Sequence, residues 1–250
     1  AHAAMPRFRC DRQQAAACGD GNGRFPMLIR YVPGATGFEA GLRRAARAAL
    51  YLPTSCRMAA DPCYPWINAG AVRFLSRTLN RRMTGFEWGG GRSTAFLASR
   101  VLQLVSVEHN PKWRRRTLAL LARQCLANVD CRFLPPGDDP GRPEARPQPW
   151  RRLNHVHRMP EYAAYSDAIL DYPEESFDFV SIDGRARVEC AFNAASRLRP
   201  GGFLLLDNSE WEKYAPIFAA FADWTRRDFE NGVWRTSLLF KPDTSCVRGG

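Results

Sequence analysis

The chain has 250 residues, 45% of them hydrophobic, which suffices for one full α/β domain with additional segments but not for two large domains. No apolar run approaches the roughly 20 residues that a membrane-spanning helix needs, so we expect no membrane span. The net charge of +11 comes almost entirely from scattered arginines, so we expect non-specific attraction of polyanions rather than specific nucleic-acid binding.

Residues 1–60 are predicted to form an N-terminal extension, and residues 61–250 the main domain. The extension has nine arginines but only three acidic residues. Both an organelle transit segment and a disordered extension have this composition, and both interpretations stay open. The cysteines lack Cys-x-x-Cys spacing, which is typical of reduced thiols in an intracellular protein, either cytoplasmic or organellar.

Two amphipathic helices are predicted before the core of the main domain. The first covers 38–52, and Pro53 is expected to end it, because proline removes a helical hydrogen bond. The second covers 66–81. Its predicted buried stripe consists of Ile67, Val72, Leu75 and Leu79.

Strands and helices alternate from residue 83 onward. The predicted strands cover 83–88, 102–108, 129–134, 177–182, 203–206 and 235–241. The predicted helices cover 93–100, 111–128, 188–198 and 212–229. A turn at 199–202 is predicted to close the third of these helices. Residues 135–150 contain six prolines and are predicted to form a surface insertion or lid. This alternation predicts an α/β fold with a doubly wound, mostly parallel sheet.

A glycine-rich loop joins the first predicted strand of the sheet to the helix that follows it. Such a loop exposes backbone N–H groups, and its glycines let a ligand approach the backbone closely. Ser93 and Thr94 are predicted to cap the helix, a role that requires no ligand. The candidate cofactor-binding residues of the loop are Glu87, Gly89, Gly90, Gly91, Ser93 and Thr94.

A carboxylate ends the next predicted strand. Glu108 follows Gly91 by 17 positions, and an acid there can accept hydrogen bonds from both ribose hydroxyls of a nucleoside cofactor. His109 is expected either to pack beside the adenine or to face solvent. A dinucleotide-binding loop would have glycine or alanine where this chain has Thr94, so an NAD site is the less favoured interpretation.

Four segments together resemble class I S-adenosylmethionine (SAM)-dependent methyltransferases: FEWGGGRST, LVSVEHNPKW, FDFVSIDGRARVECA and LRPGGFLLLDN. The resemblance covers roughly residues 64–241 and is closest to a poorly characterised group. It implies a SAM cofactor and a seven-stranded sheet whose last strand is antiparallel. It also implies that Glu87, Gly89, Gly91 and Ser93 form the first cofactor motif, and that Glu108 is the ribose-binding acid.

The same resemblance implies that Asp183 lies beside the methyl-transfer site, where it is the candidate general base. His155 and His157 are alternative bases, and Tyr162 and Tyr165 are candidates to shape the acceptor pocket. Arg185 and Arg187 either bind an anionic acceptor or pair with neighbouring acids, and pairing is favoured.

The sequence leaves open whether a divalent metal binds near Asp183. Asp183, Asp207 and Asn208 resemble the metal ligands of catechol-type O-methyltransferases. Those enzymes have a lysine where this chain has Ala186, so no metal ligands are predicted.

The sequence therefore predicts a SAM-dependent methyltransferase that O-methylates a small molecule or glycan. Two other functions are weighed against this one. The first is a non-catalytic binding or assembly protein that keeps the fold. The second is an RNA or protein methyltransferase. The chain has no Asn-Pro-Pro-Tyr-type motif after the fourth strand, which argues against N-methylation of bases.

Overall fold

The computed structural model describes residues 37–137 and 159–243. Most of the proline-rich segment and the start of the N-terminal extension lie outside these ranges. The helices are α1 Gly37–Ala60, α2 Ala69–Thr78, α3 Arg92–Ala98, α4 Pro111–Arg123, α5 Ala163–Asp167, α6 Arg187–Ala195 and α7 Ala215–Ala220. The strands are β1 Thr84–Trp88, β2 Gln103–Glu108, β3 Val129–Phe133, β4 Phe177–Ile182, β5 Leu198–Asp207, β6 Thr225–Glu230 and β7 Arg235–Phe240.

All seven strands belong to one sheet in the order β3-β2-β1-β4-β5-β7-β6. The first five positions in this order are parallel, and β7 pairs antiparallel with both β5 and β6. The predicted α/β class and the antiparallel last strand are therefore confirmed. The chain order reverses between β1 and β4, and ligands of open α/β sheets bind at such a reversal, beyond the carboxyl ends of the strands.

Buried apolar side chains cover both faces of the sheet. One cluster contains Phe86, Trp88 and Ile182, and the other contains Leu104, Phe179 and Leu205. This explains why the central strands are almost continuously apolar in sequence. All four residues of the predicted buried stripe are buried. The helix is shorter than the predicted range 66–81, because α2 covers Ala69–Thr78 and Ile67 and Leu79 lie outside it. In the described parts of the chain, no helix has both the length and the apolar character that crossing a bilayer requires.

The prediction that Pro53 ends the first helix is wrong. Helix α1 continues through Pro53 to Ala60. Contacts with the main domain explain this, because Arg92 Nη1 donates hydrogen bonds to the carbonyl oxygens of Met58 and Asp61 at 2.6 and 3.2 Å. Tertiary hydrogen bonds to the end of the helix thus offset the single backbone bond that proline removes. The domain division at residue 60 stays a prediction.

The prediction of a helix over 212–229 is also wrong in its second half. Helix α7 ends at Ala220, and residues 225–230 form β6. The missed signal is Asn231-Gly232, which is typical of a hairpin between two strands. Gly232 has a φ of +75°, and the Asn231 side chain accepts hydrogen bonds from the amides of Val233 and Trp234 at 3.0 and 3.1 Å.

The third correction concerns the start of β5. Residues 199–202 were predicted as a turn that closes a helix, but β5 already begins at Leu198. The register with β4 shifts between the pairs Phe177–Leu198 and Phe179–Phe203. The Pro-Gly-Gly segment is therefore a bulge within the strand, and Gly201 has the positive φ, +74°, that this bend requires.

Candidate functional site

The carboxyl ends of β1 and β4 lie side by side at the point where the strand order reverses. Gly89 follows β1 with a φ of +98°, and a Cβ atom there would lie only 2.7 Å from the carbonyl carbon of Asp183, which follows β4. A Cβ on Gly184 would lie 1.9 Å from Tyr165 Oη. Both glycines are therefore required by the packing of the two strand ends, whether or not a ligand is bound.

Gly90 and Gly91 differ in what surrounds them. A Cβ on Gly90 would face β2 and α4, at 3.3 Å from Ser106 Oγ and 3.4 Å from Thr117 Oγ1. A Cβ on Gly91 would meet no atom within 4 Å. Gly91 also directly precedes α3, whose first N–H groups have no partner within the helix. The open approach to the loop is thus at Gly91.

The Glu87 side chain points into the protein interior, where hydroxyl groups of the loop region bind it. Three hydroxyl groups donate to its fully buried carboxylate: Ser93 Oγ at 2.5 Å, Thr94 Oγ1 at 2.6 Å and Ser106 Oγ at 2.8 Å. Burial nevertheless raises the pKa of Glu87 from 4.5 to about 7. Thr94 Oγ1 also accepts the Gly91 N–H at 2.9 Å. Glu87, Ser93 and Thr94 therefore position the loop.

Glu108, at the end of β2, has its carboxylate beside the same loop. Its Oε1 accepts the amide hydrogens of His109 at 2.9 Å and Asn110 at 2.6 Å. Burial raises the pKa of Glu108, while hydrogen bonds from Asn110, His109 and the Gly90 backbone oppose the rise. The side chain therefore points toward the glycine loop and not away from it, as a ribose-binding role requires.

His109 belongs to a small aromatic group with Tyr162 and Tyr165. Its ring lies 5.4 Å from each tyrosine ring in an edge-to-face arrangement, and the two tyrosine rings are 6.1 Å apart. Burial, followed by the positive charge of Arg185, lowers the pKa of His109, which favours the neutral ring although Glu108 Oε1 lies 3.2 Å from Nδ1. A neutral imidazole among aromatic rings suits contact with a flat heterocycle.

Asp183 is held at the strand ends by Arg187. Arg187 donates to Asp183 Oδ1 at 2.8 Å, to the Gly184 carbonyl oxygen at 3.0 Å and to the Asp207 carbonyl oxygen. The predicted pairing of Arg187 with an acid is thus observed, whereas Arg185 is exposed. The Asp183 side chain keeps 29% of its exposure, and burial raises its pKa against the opposing effect of Arg187.

Asp207 and Asn208, the other two residues considered as metal ligands, are not arranged around Asp183 as a ligand set. Asp207 is buried and its Oδ1 accepts a hydrogen bond from Thr236 Oγ1. Asn208 adopts a left-handed backbone conformation with a φ of +50°. The Arg187 guanidinium lies between Asp183 and Asp207 and supplies positive charge there. The described residues contain no group of three or more His, Cys, Asp or Glu suited to a metal ion.

The structure brings most of the predicted site residues to one edge of the sheet. Gly89–Gly91, Glu108, His109 and Asp183 all lie there, and the charge of Asp183 contributes to raising the pKa of both Glu87 and Glu108. His155 and His157 lie outside the described residues.

Sequence reasoning missed three other residues at this edge. Ser106 was missed because a serine inside an apolar strand carries no distinctive signal. Trp211 and Tyr214 were missed because the segment after β5 was predicted as the start of a helix.

No protein-family model and no curated protein matches the sequence. Solved structures with a similar fold include a putative methyltransferase from Streptococcus mutans in complex with SAH, at 11% identity, covering 68% of this chain and 95% of that one with a TM-score of 0.47. A methyltransferase-like protein from Silicibacter pomeroyi is 21% identical over 70% of this chain and 84% of that one, with a TM-score of 0.46.

A third similar structure is a precorrin-6y C5,15-methyltransferase from Geobacter metallireducens. It is 13% identical and covers 69% of this chain and 86% of that one, with a TM-score of 0.48.

Proposed function

We propose that the protein binds SAM at the loop 89–91 and transfers its methyl group to a hydroxyl oxygen of a small molecule or glycan. The observation that carries this proposal is the Glu108 carboxylate beside the Gly90 backbone, with open space at Gly91, where the strand order of the sheet reverses. A carboxylate beside a glycine loop that leads into a helix suits a nucleoside that carries an amino-acid tail.

Different residues of the site bind the ribose, the adenine and the methionine part of the cofactor. Glu108 accepts hydrogen bonds from the two ribose hydroxyls, and the neutral His109 ring contacts the adenine. The amides at the start of α3 are directed at the methionine carboxylate, where the helix dipole favours negative charge. A side chain at Gly91 would fill the space that this approach needs.

Bound SAM supplies an electrophilic methyl group, and the chain's own residues prepare the acceptor. Asp183 would accept the proton of the acceptor hydroxyl as the new oxygen–carbon bond forms and the methyl–sulfur bond of SAM breaks, with S-adenosylhomocysteine as the leaving group. Burial raises the pKa of Asp183 and so makes the carboxylate a better base. Arg187 holds Oδ1 at 2.8 Å and thereby orients the carboxylate. Favourable alignment of two reactants can contribute roughly 7–11 kcal/mol.

Calorimetric titration with SAM tests the cofactor assignment. The wild-type chain is compared with Glu108→Ala and with Glu174→Ala, which removes a carboxylate that is 70% exposed on the far side of the sheet. Each hydrogen bond to a charged group contributes about 1.5–3 kcal/mol, so Glu108→Ala should bind SAM at least about tenfold more weakly. Glu174→Ala should bind like the wild type. An absence of heat and of thermal shift with the wild type would refute the assignment.

Tritiated methyl transfer to a cell extract tests the reaction and the acceptor class. The extract is separated into small molecules and glycans, RNA, and protein. Label in the first fraction supports the proposal, and Asp183→Asn should abolish transfer while SAM binding persists. Label in RNA or protein would mean that the acceptor is that macromolecule and not a small molecule or glycan. Tight SAM binding without label in any fraction would favour the non-catalytic assembly role.

A further inference from the structure

An exposed tryptophan follows the end of β5, in a segment whose Tyr214 ring contacts Arg187. Trp211 keeps 44% of its exposure. Its ring is nearly parallel to that of the buried Tyr214, with 9° between the planes and 6.1 Å between the centroids. We call these two residues, together with Lys213, the Trp211 platform. The part of the Trp211 ring that stays exposed is an apolar surface that another ring can stack on.

The charges at the platform are mainly positive. Lys213 Nζ lies 4.2 Å from the centre of the Trp211 ring and 5.0 Å from that of Tyr214. Burial, followed by the positive charges of Arg187 and Arg185, lowers the pKa of Lys213. Arg185 is exposed and close enough to act on Lys213. A negatively charged group at this place would relieve the repulsion among these cations.

The platform is physically continuous with the candidate base. The Arg187 guanidinium lies 5.6 Å from the centre of the Tyr214 ring, and the same guanidinium donates to Asp183 at 2.8 Å. Two side chains, Tyr214 and Arg187, therefore connect Trp211 to the carboxylate that accepts the proton. The platform is thus on the acceptor side of the site, whereas Glu108 and the glycine loop are on the cofactor side.

We propose that the Trp211 platform binds the methyl acceptor, and that this acceptor is a small molecule that carries a flat ring and a carboxylate or phosphate group. The ring covers Trp211, and Lys213 and Arg185 bind the negative charge. The exposed Glu212 stands between Trp211 and Lys213 in the chain. A negative charge there interrupts the positive surface that an extended polyanion would follow, so a small anion fits better than a nucleic-acid strand. This inference rests on the proposed function for its role, but the binding itself can be measured without SAM.

Equilibrium binding to the full chain tests the proposal with three anionic rings and their neutral counterparts. The flat-ring pairs are 4-hydroxybenzoate with 4-hydroxybenzyl alcohol and uridine 5′-monophosphate with uridine, and the pair glucuronate with glucose is the non-planar control. Saturation-transfer NMR detects binding, and dialysis measures the dissociation constant. At least one anionic probe should bind, and its neutral counterpart should bind several-fold more weakly. The flat-ring pair that responds distinguishes an aromatic acid from a nucleotide, and binding of glucuronate alone would overturn the proposed flat ring.

Variants locate the binding site. Trp211→Ala should weaken binding of that probe about tenfold or more, as expected for the loss of one stacking contact. Lys213→Ala should weaken it about threefold, as expected for one exposed ion pair. Trp113→Ala is the matched control, because Trp113 is 40% exposed and lies 5.1 Å from a guanidinium carbon but belongs to the first turn of α4, beyond β2. It should leave binding unchanged. Trp211→Phe keeps a ring and should retain most of the binding.

Several results would overturn the proposal. These are no binding of any anionic probe, equal binding of charged and neutral rings, equal effects of Trp211→Ala and Trp113→Ala, or binding of a single-stranded RNA decamer alone. Calorimetry with SAM on the same variants separates this proposal from the previous one. Trp211→Ala should still bind SAM. If the wild type bound an anionic ring through Trp211 but not SAM, the platform would stand and the cofactor assignment would fail.

Discussion

Replacing Glu87 with glutamine should change how the stability of the protein depends on pH. Glu87 is fully buried beneath the glycine loop, and three hydroxyl groups donate to it. Glutamine has the same shape and cannot titrate. Its carbonyl oxygen can accept from two of these hydroxyls, and its amide can donate to the third after that hydroxyl rotates. The substitution therefore removes the titration with little change in packing.

The magnitude follows from the two pKa values. The pKa of Glu87 is about 7 in the folded chain and 4.5 for the ordinary group. The folded state then binds a proton more readily than the unfolded state, so the free energy of unfolding falls as the pH rises from about 4.5 to about 7. The fall attributable to this one group is about 3 kcal/mol, and the contribution is constant above the folded pKa.

Urea unfolding between about pH 5 and pH 8, followed by circular dichroism, measures this effect. The difference in free energy of unfolding between wild type and Glu87→Gln should shift against the wild type as the pH rises, and should become constant above about pH 7. Glu174→Gln, at a carboxylate that is 70% exposed, should show no such shift. A difference independent of pH would mean that the three hydroxyl donors outweigh burial, and would refute this reasoning.

Three further substitutions and one cysteine-labelling experiment test the packing and the site. Gly89→Ala combines a φ of +98° with a backbone contact at 2.7 Å, so urea unfolding should show a loss of about 2–4 kcal/mol. Gly91→Ala has extended backbone and open space. Its stability should change by less than about 1 kcal/mol, but calorimetry should show weaker SAM binding. Arg187→Gln breaks the bonds that join the ends of β4 and β5, and thermal and urea unfolding should show a loss of about 3 kcal/mol. Burial raises the pKa of Cys131 to about 12, so mass spectrometry after brief alkylation at about pH 8 should find it unmodified when the exposed Cys56 is modified.

The sequence predicted those parts of the fold that depend on local periodicity. The strand at residues 177–182 was predicted with its observed bounds, because a strand buried on both faces is a short, almost continuous apolar run. The glycine loop and Glu108 were also located correctly at the ends of β1 and β2. Parallel strands place their carboxyl ends at one edge, so their proximity followed once the sheet was predicted.

Local pattern failed where contacts distant in sequence decide the structure. Helix α1 runs through Pro53, and Arg92 from α3 binds the carbonyl oxygens at its far end. Residues 225–230 form a strand because β7 offers a partner, although their arginine-rich composition resembles the exposed face of a helix. In both cases a tertiary hydrogen-bond partner outweighed a local preference.

The candidate site likewise has features that the local sequence predicted and features that only tertiary contacts decided. Residue types and spacing alone determined where a nucleoside could bind, because a glycine loop and a strand-ending acid are encoded within about twenty positions. Only the tertiary structure showed that Glu87 faces inward, that Arg187 lies between Asp183 and Asp207, and that the Tyr214 ring beside Trp211 contacts Arg187. These arrangements join side chains from different strands, and the packing of the whole sheet, rather than any local run of residues, sets the distances between them.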